Sequence, residues 1–133
     1  MAIVKVKETF NCDIKKVWDI VTNNNNYSWR SDIEKIDIID DLTFIEYDKK
    51  SNIKTTFKIT KIKPYSIYEF DMENENIRGH WSGKFEGDEN KVSVEFTEDV
   101  TAKKAIMKLF VKSYLKMQQS NYIHDLGSAI MSK

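Results

Sequence analysis

Between Ile33 and Thr101 the chain writes one strand-like segment after another. Segments 33–39, 42–47, 53–63, 67–74, 77–86 and 91–101 are rich in β-branched and aromatic residues. They are separated only by Asp40-Asp41, Asp48 to Asn52, Pro64-Tyr65-Ser66, Glu75-Asn76 and Gly87 to Asn90. Connections this short cannot carry a crossover, so strands adjacent in sequence must pair as an antiparallel meander. A seventh strand precedes them. Residues 3–10 alternate, with Val4, Val6, Glu8 and Phe10 on one side and Ile3, Lys5, Lys7 and Thr9 on the other. A sheet of this kind has one apolar face that another layer must cover.

Two stretches can supply that layer. Asn11 or Asp13 can cap a short helix in which Ile14, Val17, Trp18 and Val21 recur at helical spacing, ending in Asn23 to Asn26. Those four asparagines compete for backbone hydrogen bonds and predict a turn into Tyr27-Ser28-Trp29-Arg30. Thr101 can cap a final helix running to about Met131 with no proline inside. Its apolar face shifts, with Ile106, Phe110, Tyr114 and Met117 on one side and Leu115, Tyr122, Leu126, Ala129 and Ile130 nearly opposite. This predicts either a kink near Gln118 to Asn121 or a first half leaning over a different surface from the second. Gly127 predicts a close packing contact. The phase slip among Phe57, Ile59 and Ile62 predicts a bulge or a strand end.

Composition narrows the function classes. At 133 residues the chain is expected to form one domain over 1–133, and 41% hydrophobic with 32% charged residues fits a folded, water-soluble protein. Lys plus Arg (21) cancel Asp plus Glu (21), so no net field draws it to nucleic acid. No apolar run is long enough to span a bilayer, and Met1 to Phe10 has no signal-peptide core; no stable membrane insertion and a cytoplasmic location are expected. The single cysteine, Cys12, excludes an internal disulfide. His80 is in phase with Arg78 and Ser82, and His124 with Asn121 and Ser128, so neither points inward. No metal and no cofactor are expected, and no nucleophilic triad can be assembled.

The order of elements resembles the START-like superfamily, also called SRPBCC, with its helix-grip or Bet v 1-like fold. The resemblance runs over the whole chain. It is carried by Phe10-Asn11-Cys12-Asp13-Ile14-Lys15-Lys16-Val17-Trp18, Tyr27-Ser28-Trp29, Gly79-His80-Trp81-Ser82-Gly83 and Phe96-Thr97-Glu98-Asp99-Val100-Thr101. Most similar are bacterial proteins grouped as polyketide cyclase/dehydrase and lipid-transport-like. Where that family often has Ala-Pro, this chain has Cys12-Asp13. The resemblance implies an α+β fold: a curved antiparallel seven-stranded sheet wrapped on a long C-terminal helix, with short helices after the first strand. It further implies a space between sheet and helix that holds an apolar ligand. A dry void of even 300 Å³ would cost roughly 7 kcal/mol, so such a space must be small, wet or filled.

The expected lining is Phe57, Tyr68, Phe70, Trp81, Phe96, Phe110 and Tyr114, whose phases point inward. Packing alone would place many of them there too. Glu98 and Glu8 share phases with apolar neighbours and are candidate inward carboxylates; the plain alternative is a strand end reaching water or a pair with Arg30 or a lysine. Arg30 can hold a ligand carboxylate, or form a surface pair with Asp32. Lys104, Lys108, Lys112 and Lys116 stand four apart as a basic ridge, either solvated or facing anionic lipid heads. The leading expectation is binding of a small hydrophobic or amphipathic ligand, such as a lipid or polyketide-like molecule, by a monomer or weak homodimer with no residue assigned a catalytic role. A cyclase or hydrolase using Glu98 or Arg30 with ordered water is the alternative. A protein-interaction module using Ile106, Phe110, Tyr114 and Met117 is a second.

Overall fold

The computed structural model describes residues 2–132. Its elements are β1 (Ala2–Phe10), α1 (Ile14–Thr22), β2 (Ile33–Ile38), β3 (Thr43–Asp48), β4 (Lys54–Lys63), β5 (Ile67–Glu73), β6 (Ile77–Gly87), β7 (Val92–Ala102), a 3-10 helix (Ala105–Leu109) and α2 (Val111–Met131). The strands form one curved sheet in the order β1-β7-β6-β5-β4-β3-β2, antiparallel throughout. The meander is therefore as the short connections require, and β1 closes beside β7. The phase slip in β4 is a register shift between Ile59 and Lys61.

Alternation decides which face is covered. Along β7, Val92, Val94, Phe96, Glu98, Val100 and Ala102 are all buried. Along β6, Trp81, Gly83 and Phe85 follow the same phase. Gly83 is needed for the indole beside it, since a Cβ there would lie 2.6 Å from Trp81 Cη2. Trp81 can then lie flat against Phe70, with centroids 4.8 Å apart and planes within 2°.

One end of the sheet is plugged by α1. The Asp13 side chain caps that helix by accepting from Lys15 N–H at 2.9 Å, and Ile14 N–H donates to Asp88 O at 3.0 Å, pinning α1 to the β6–β7 turn. Trp18 then meets Phe85, Tyr68 and Tyr65 edge-on at 5.0, 6.2 and 6.0 Å. Lys16 Nζ donates to Ile130 O at 2.6 Å and ties α1 to the C-terminal turn of α2.

Four expectations are corrected. Thr101 does not cap a helix, because β7 continues to Ala102 and α2 starts only at Val111. The reason is the ladder: Val100 pairs with Gly79 and Ala102 with Ile77. α2 runs unbroken through Gln118 to Asn121, and the break falls at Phe110. Its buried stripe, Val111, Leu115, Gln119, Leu126 and Ile130, is continuous because a glutamine fills the gap among the apolar residues. The lysine ridge is interrupted by the same break, since only Lys112 and Lys116 lie on α2. Glu8, by contrast, follows the plain alternative of a strand end reaching water: it is exposed near the end of β1, where its carboxylate accepts from Thr9 N–H at 3.1 Å.

Gly127 makes no close contact either, as an added Cβ would meet only Phe10 at 3.7 Å. The two glycines therefore predict opposite outcomes. Gly83→Ala should destabilise by about 1–3 kcal/mol through overpacking against Trp81. Gly127→Ala should be neutral or stabilise by up to about 1 kcal/mol. Urea unfolding of both variants checks the contrast, and equal effects would contradict the packing described.

Candidate functional site

The stripe on α2 docks the helix against β1, β7 and α1 rather than over the middle of the sheet. The inner faces of β3, β4 and β5 therefore look across a gap, and that gap is a cavity of about 870 Å³.

The floor is aromatic. Phe44 stacks on Phe57 at 4.8 Å, Phe70 meets Phe57 edge-on at 5.1 Å, and Trp81 meets Phe96 at 5.0 Å. The mouth lies opposite α1, framed by the β3–β4 turn (Asp48, Lys50, Ser51, Ile53), the β5–β6 turn (Asn74, Asn76) and the segment Ile106 to Val111. Side chains on that segment are strongly exposed for their type, Leu109 at 79% and Phe110 at 63%. Arg30, Phe57, Tyr68, Phe70, Trp81, Phe96, Glu98, Phe110 and Tyr114 all border the cavity. Ile106 of the 3-10 helix and Tyr114 and Met117 of α2 border it as well, so the second apolar side expected of the C-terminal segment lines the opening.

A polar pole sits among the rings. Arg30 is not on the surface: its side chain is 13% exposed, and it pairs with both Asp32 and Glu46. Nε and Nη2 donate to Asp32 at 3.0 Å each, and Nη1 donates to Glu46 at 3.3 Å. The guanidinium lies 4.9 Å from the Tyr122 ring centroid and 5.7 Å from that of Trp29. Burial opposes its charge, but Glu46 and Asp32 more than compensate and raise its pKa. Burial also raises Glu46, with the Arg30 charge pulling the other way. The loop carrying Arg30 is anchored on α2, where the Asp125 carboxylate accepts from Ser31 N–H at 2.9 Å and Ser31 Oγ at 2.8 Å.

Glu98 faces inward and is 8% exposed. The expected alternatives, water at a strand end or a pair with Arg30 or a lysine, do not describe it: among the described residues it makes no ion pair. Burial pushes its carboxyl up to about 7, with partial relief from the Gln119 side chain and the Arg30 charge. Gln119 is itself buried and donates to Val4 O at 3.2 Å and Phe96 O at 3.5 Å. Tyr68 accepts from Asn24 Nδ2 at 3.4 Å, and burial keeps both Tyr68 and Tyr122 protonated phenols.

Sequence reading missed Glu46, Tyr122, Gln119 and Asn24. Glu46 carries a weak signal, since it is two residues from Phe44 on β3 and therefore shares its face. Gln119 falls one helical turn after Leu115. The histidines are as their phases imply: His124 is exposed, and His80 sits between Asp71 at 2.7 Å and Glu69 at 2.8 Å. Burial works against a charge on His80, but those two hydrogen bonds raise its pKa. Among the described residues no group of three or more His, Cys, Asp or Glu side chains is placed to hold a metal ion, and no helix is long and apolar enough to cross a membrane.

The architecture has close structural likenesses. The chain is similar to a START superfamily protein from Mycobacterium smegmatis, with TM-score 0.88 and 9% identity over 98% of this chain and 97% of that one. It is also similar to a conserved protein from Geobacillus kaustophilus, with TM-score 0.82 and 11% identity over 96% and 94%. DynU16, from the dynemicin biosynthetic locus, gives TM-score 0.74 and 10% identity over 96% of this chain but 46% of DynU16. At such identities the likeness establishes the fold alone, which is START-like. No curated protein matches the sequence. One family model matches residues 4–117, which is most of the chain and takes in the sheet and the mouth of the cavity, and the protein belongs to that family, described as Domain of unknown function (DUF3284).

Proposed function

We propose that the chain binds a small hydrophobic or amphipathic molecule in the cavity between the sheet and α2. The observation that carries this reading is the pairing of volume with lining. A dry hollow of 870 Å³ would cost roughly 20 kcal/mol at about 24 cal/mol per Å³, more than the whole net stability of a domain. Water can occupy it, but water against Phe44, Phe57 and Phe70 finds few hydrogen-bond partners. An apolar guest recovers the contacts that those rings otherwise lack. The exposed residues at the mouth give it a way in.

A second reading, an enzyme acting on such a guest, draws support from Glu98. A carboxyl whose proton is released near neutral pH, set in an enclosed site, is suited to general acid or base work. Tyr122 and Tyr68 add phenol protons at the same cavity. Binding is common to both readings and is what the first experiment addresses.

Native mass spectrometry and thermal unfolding against a library of single-chain lipids and polycyclic aromatics test it. A retained compound should raise stability by about 2.7 kcal/mol when present at 100 times its Kd. Absence of both retention and thermal shift across the library would sink the proposal.

Glu98 gives a second expectation from linkage. Its pKa is raised in the folded state, from 4.5 to about 7. The folded protein therefore binds a proton that the unfolded chain has released, and stability is lost as pH rises from about 4.5 through about 7. The loss reaches roughly 3 kcal/mol by pH 8. Glu98→Gln should remove that drop, so the variant gains on the parent between pH 5 and pH 8 in urea unfolding. A stability difference that stays constant with pH would mean that the carboxylate is already compensated in the native state.

A further inference from the structure

The ionisable groups of the cavity do not balance. Arg30 is largely engaged: three of its five N–H groups donate to Asp32 and Glu46, and its plane lies beside Tyr122 and Trp29. A ligand carboxylate that took the remaining N–H groups would share the guanidinium with two carboxylates that already offset its charge. The other cation at the cavity, Lys50, is exposed on the β3–β4 turn at the mouth. Against these two stand Asp32, Glu46, Asp48 and Glu98.

Asp32 and Glu46 are held by Arg30, and Asp48 is engaged by Ser51 through its backbone N–H and its hydroxyl. Among the described residues Glu98 is left without a cation paired to it. It is flanked in the sheet by Trp81 on β6 and Val4 on β1. The charged or titratable groups that sense it are Arg30, Glu46 and Tyr114, with the neutral Gln119 amide beside it. An anion entering here meets an excess of acids and a guanidinium already paired with two of them, whereas a cation meets an unpaired carboxyl among aromatic walls.

We infer that the guest is a cationic amphiphile whose alkylammonium head enters first and supplies Glu98 with its missing positive charge, its tail lying on Phe44, Phe57 and Phe70. This rests on the ligand-binding reading above and specifies its chemistry. The ammonium keeps its proton on binding. Glu98, partly protonated in the free protein near neutral pH, becomes a carboxylate and gives its proton to solvent.

Decylamine, 1-decanol and decanoate share one tail and differ only in the head, so their titration by calorimetry at pH 7.5 isolates the preference. Decylamine should bind about tenfold or more tighter than decanoate, with decanol between. In Glu98→Gln, checked for native folding by circular dichroism, that ratio should fall to within about threefold. In the unaltered protein at pH 7, heats in phosphate and Tris buffers should differ by the amount that release of a fraction of a proton requires, a readout that needs no variant. Decanoate binding as tightly as decylamine, an unchanged ratio in the variant, or no proton release would each overturn the cationic head while leaving ligand binding in place. If none of the three compounds binds and the library also fails, both proposals fall.

Discussion

The molecule depends on how α2 is seated. Val111, Leu115, Gln119, Leu126 and Ile130 recur close to one helical turn or two apart, so a single stripe of the helix is buried. That stripe meets β1, β7 and α1. A helix about 10 Å across can cover only a couple of strands. Docked at the β1 edge of a seven-stranded curved sheet, it leaves the inner face of the remaining strands unmet. The hollow follows from the seating rather than from any lack of apolar residues, since Phe44, Phe57, Phe70 and Met72 line it and are buried. Gln119 fixes the seating chemically, because its amide reaches main-chain oxygens on both β1 and β7.

The sheet was legible in the sequence because its signal is local. The connections from β2 to β7 are too short for any other topology, and strand limits differ from expectation by a residue or so at most ends, whereas the pairing of β1 with β7 spans the whole sheet and no connection dictates it. Inward phase is equally local, which is why Phe57, Tyr68, Phe70, Trp81 and Phe96 were expected on the inner face; the same counting offered both Glu98 and Glu8, of which only Glu98 borders the cavity. The start of α2 was not legible. Thr101 is an acceptable N-cap, but the pairing of Val100 and Ala102 with β6 is a tertiary fact that outweighs it. The imagined kink had the same origin: polar Gln119 was not counted with the buried side, although its amide is satisfied there by two carbonyls.

Pairings between distant residues were beyond the reach of periodicity. Arg30 stands two residues from Asp32 in sequence, and that half of its surroundings was read. Glu46, Tyr122 and the Asp125 anchor come from β3 and α2, brought in by the closing of the fold. The structure thereby turns an expected surface pair into a buried cluster, and it leaves Glu98 unpaired instead. Charge balance inside a cavity is a property of the assembled set, and a chain with equal numbers of acids and bases overall can still be acidic at one interior point.

That local imbalance bears on why the polar pole exists. Replacing a buried ion cluster with well-packed apolar residues is often neutral or stabilising by about 1–4 kcal/mol. An unpaired buried carboxyl is more costly, because burial penalises its ionised form and the Gln119 side chain and Arg30 charge offset only part of that at Glu98. A fold that required only a filled core would do better with aliphatic side chains at Arg30, Glu46 and Glu98. Instead, Arg30 is held by contributions from three separate parts of the chain, including an anchor on α2 that acts only through Ser31. The pole is therefore poorly explained by stability, which supports the proposed reading, in which the rings would hold an oily guest and the unbalanced acids would select the head it carries.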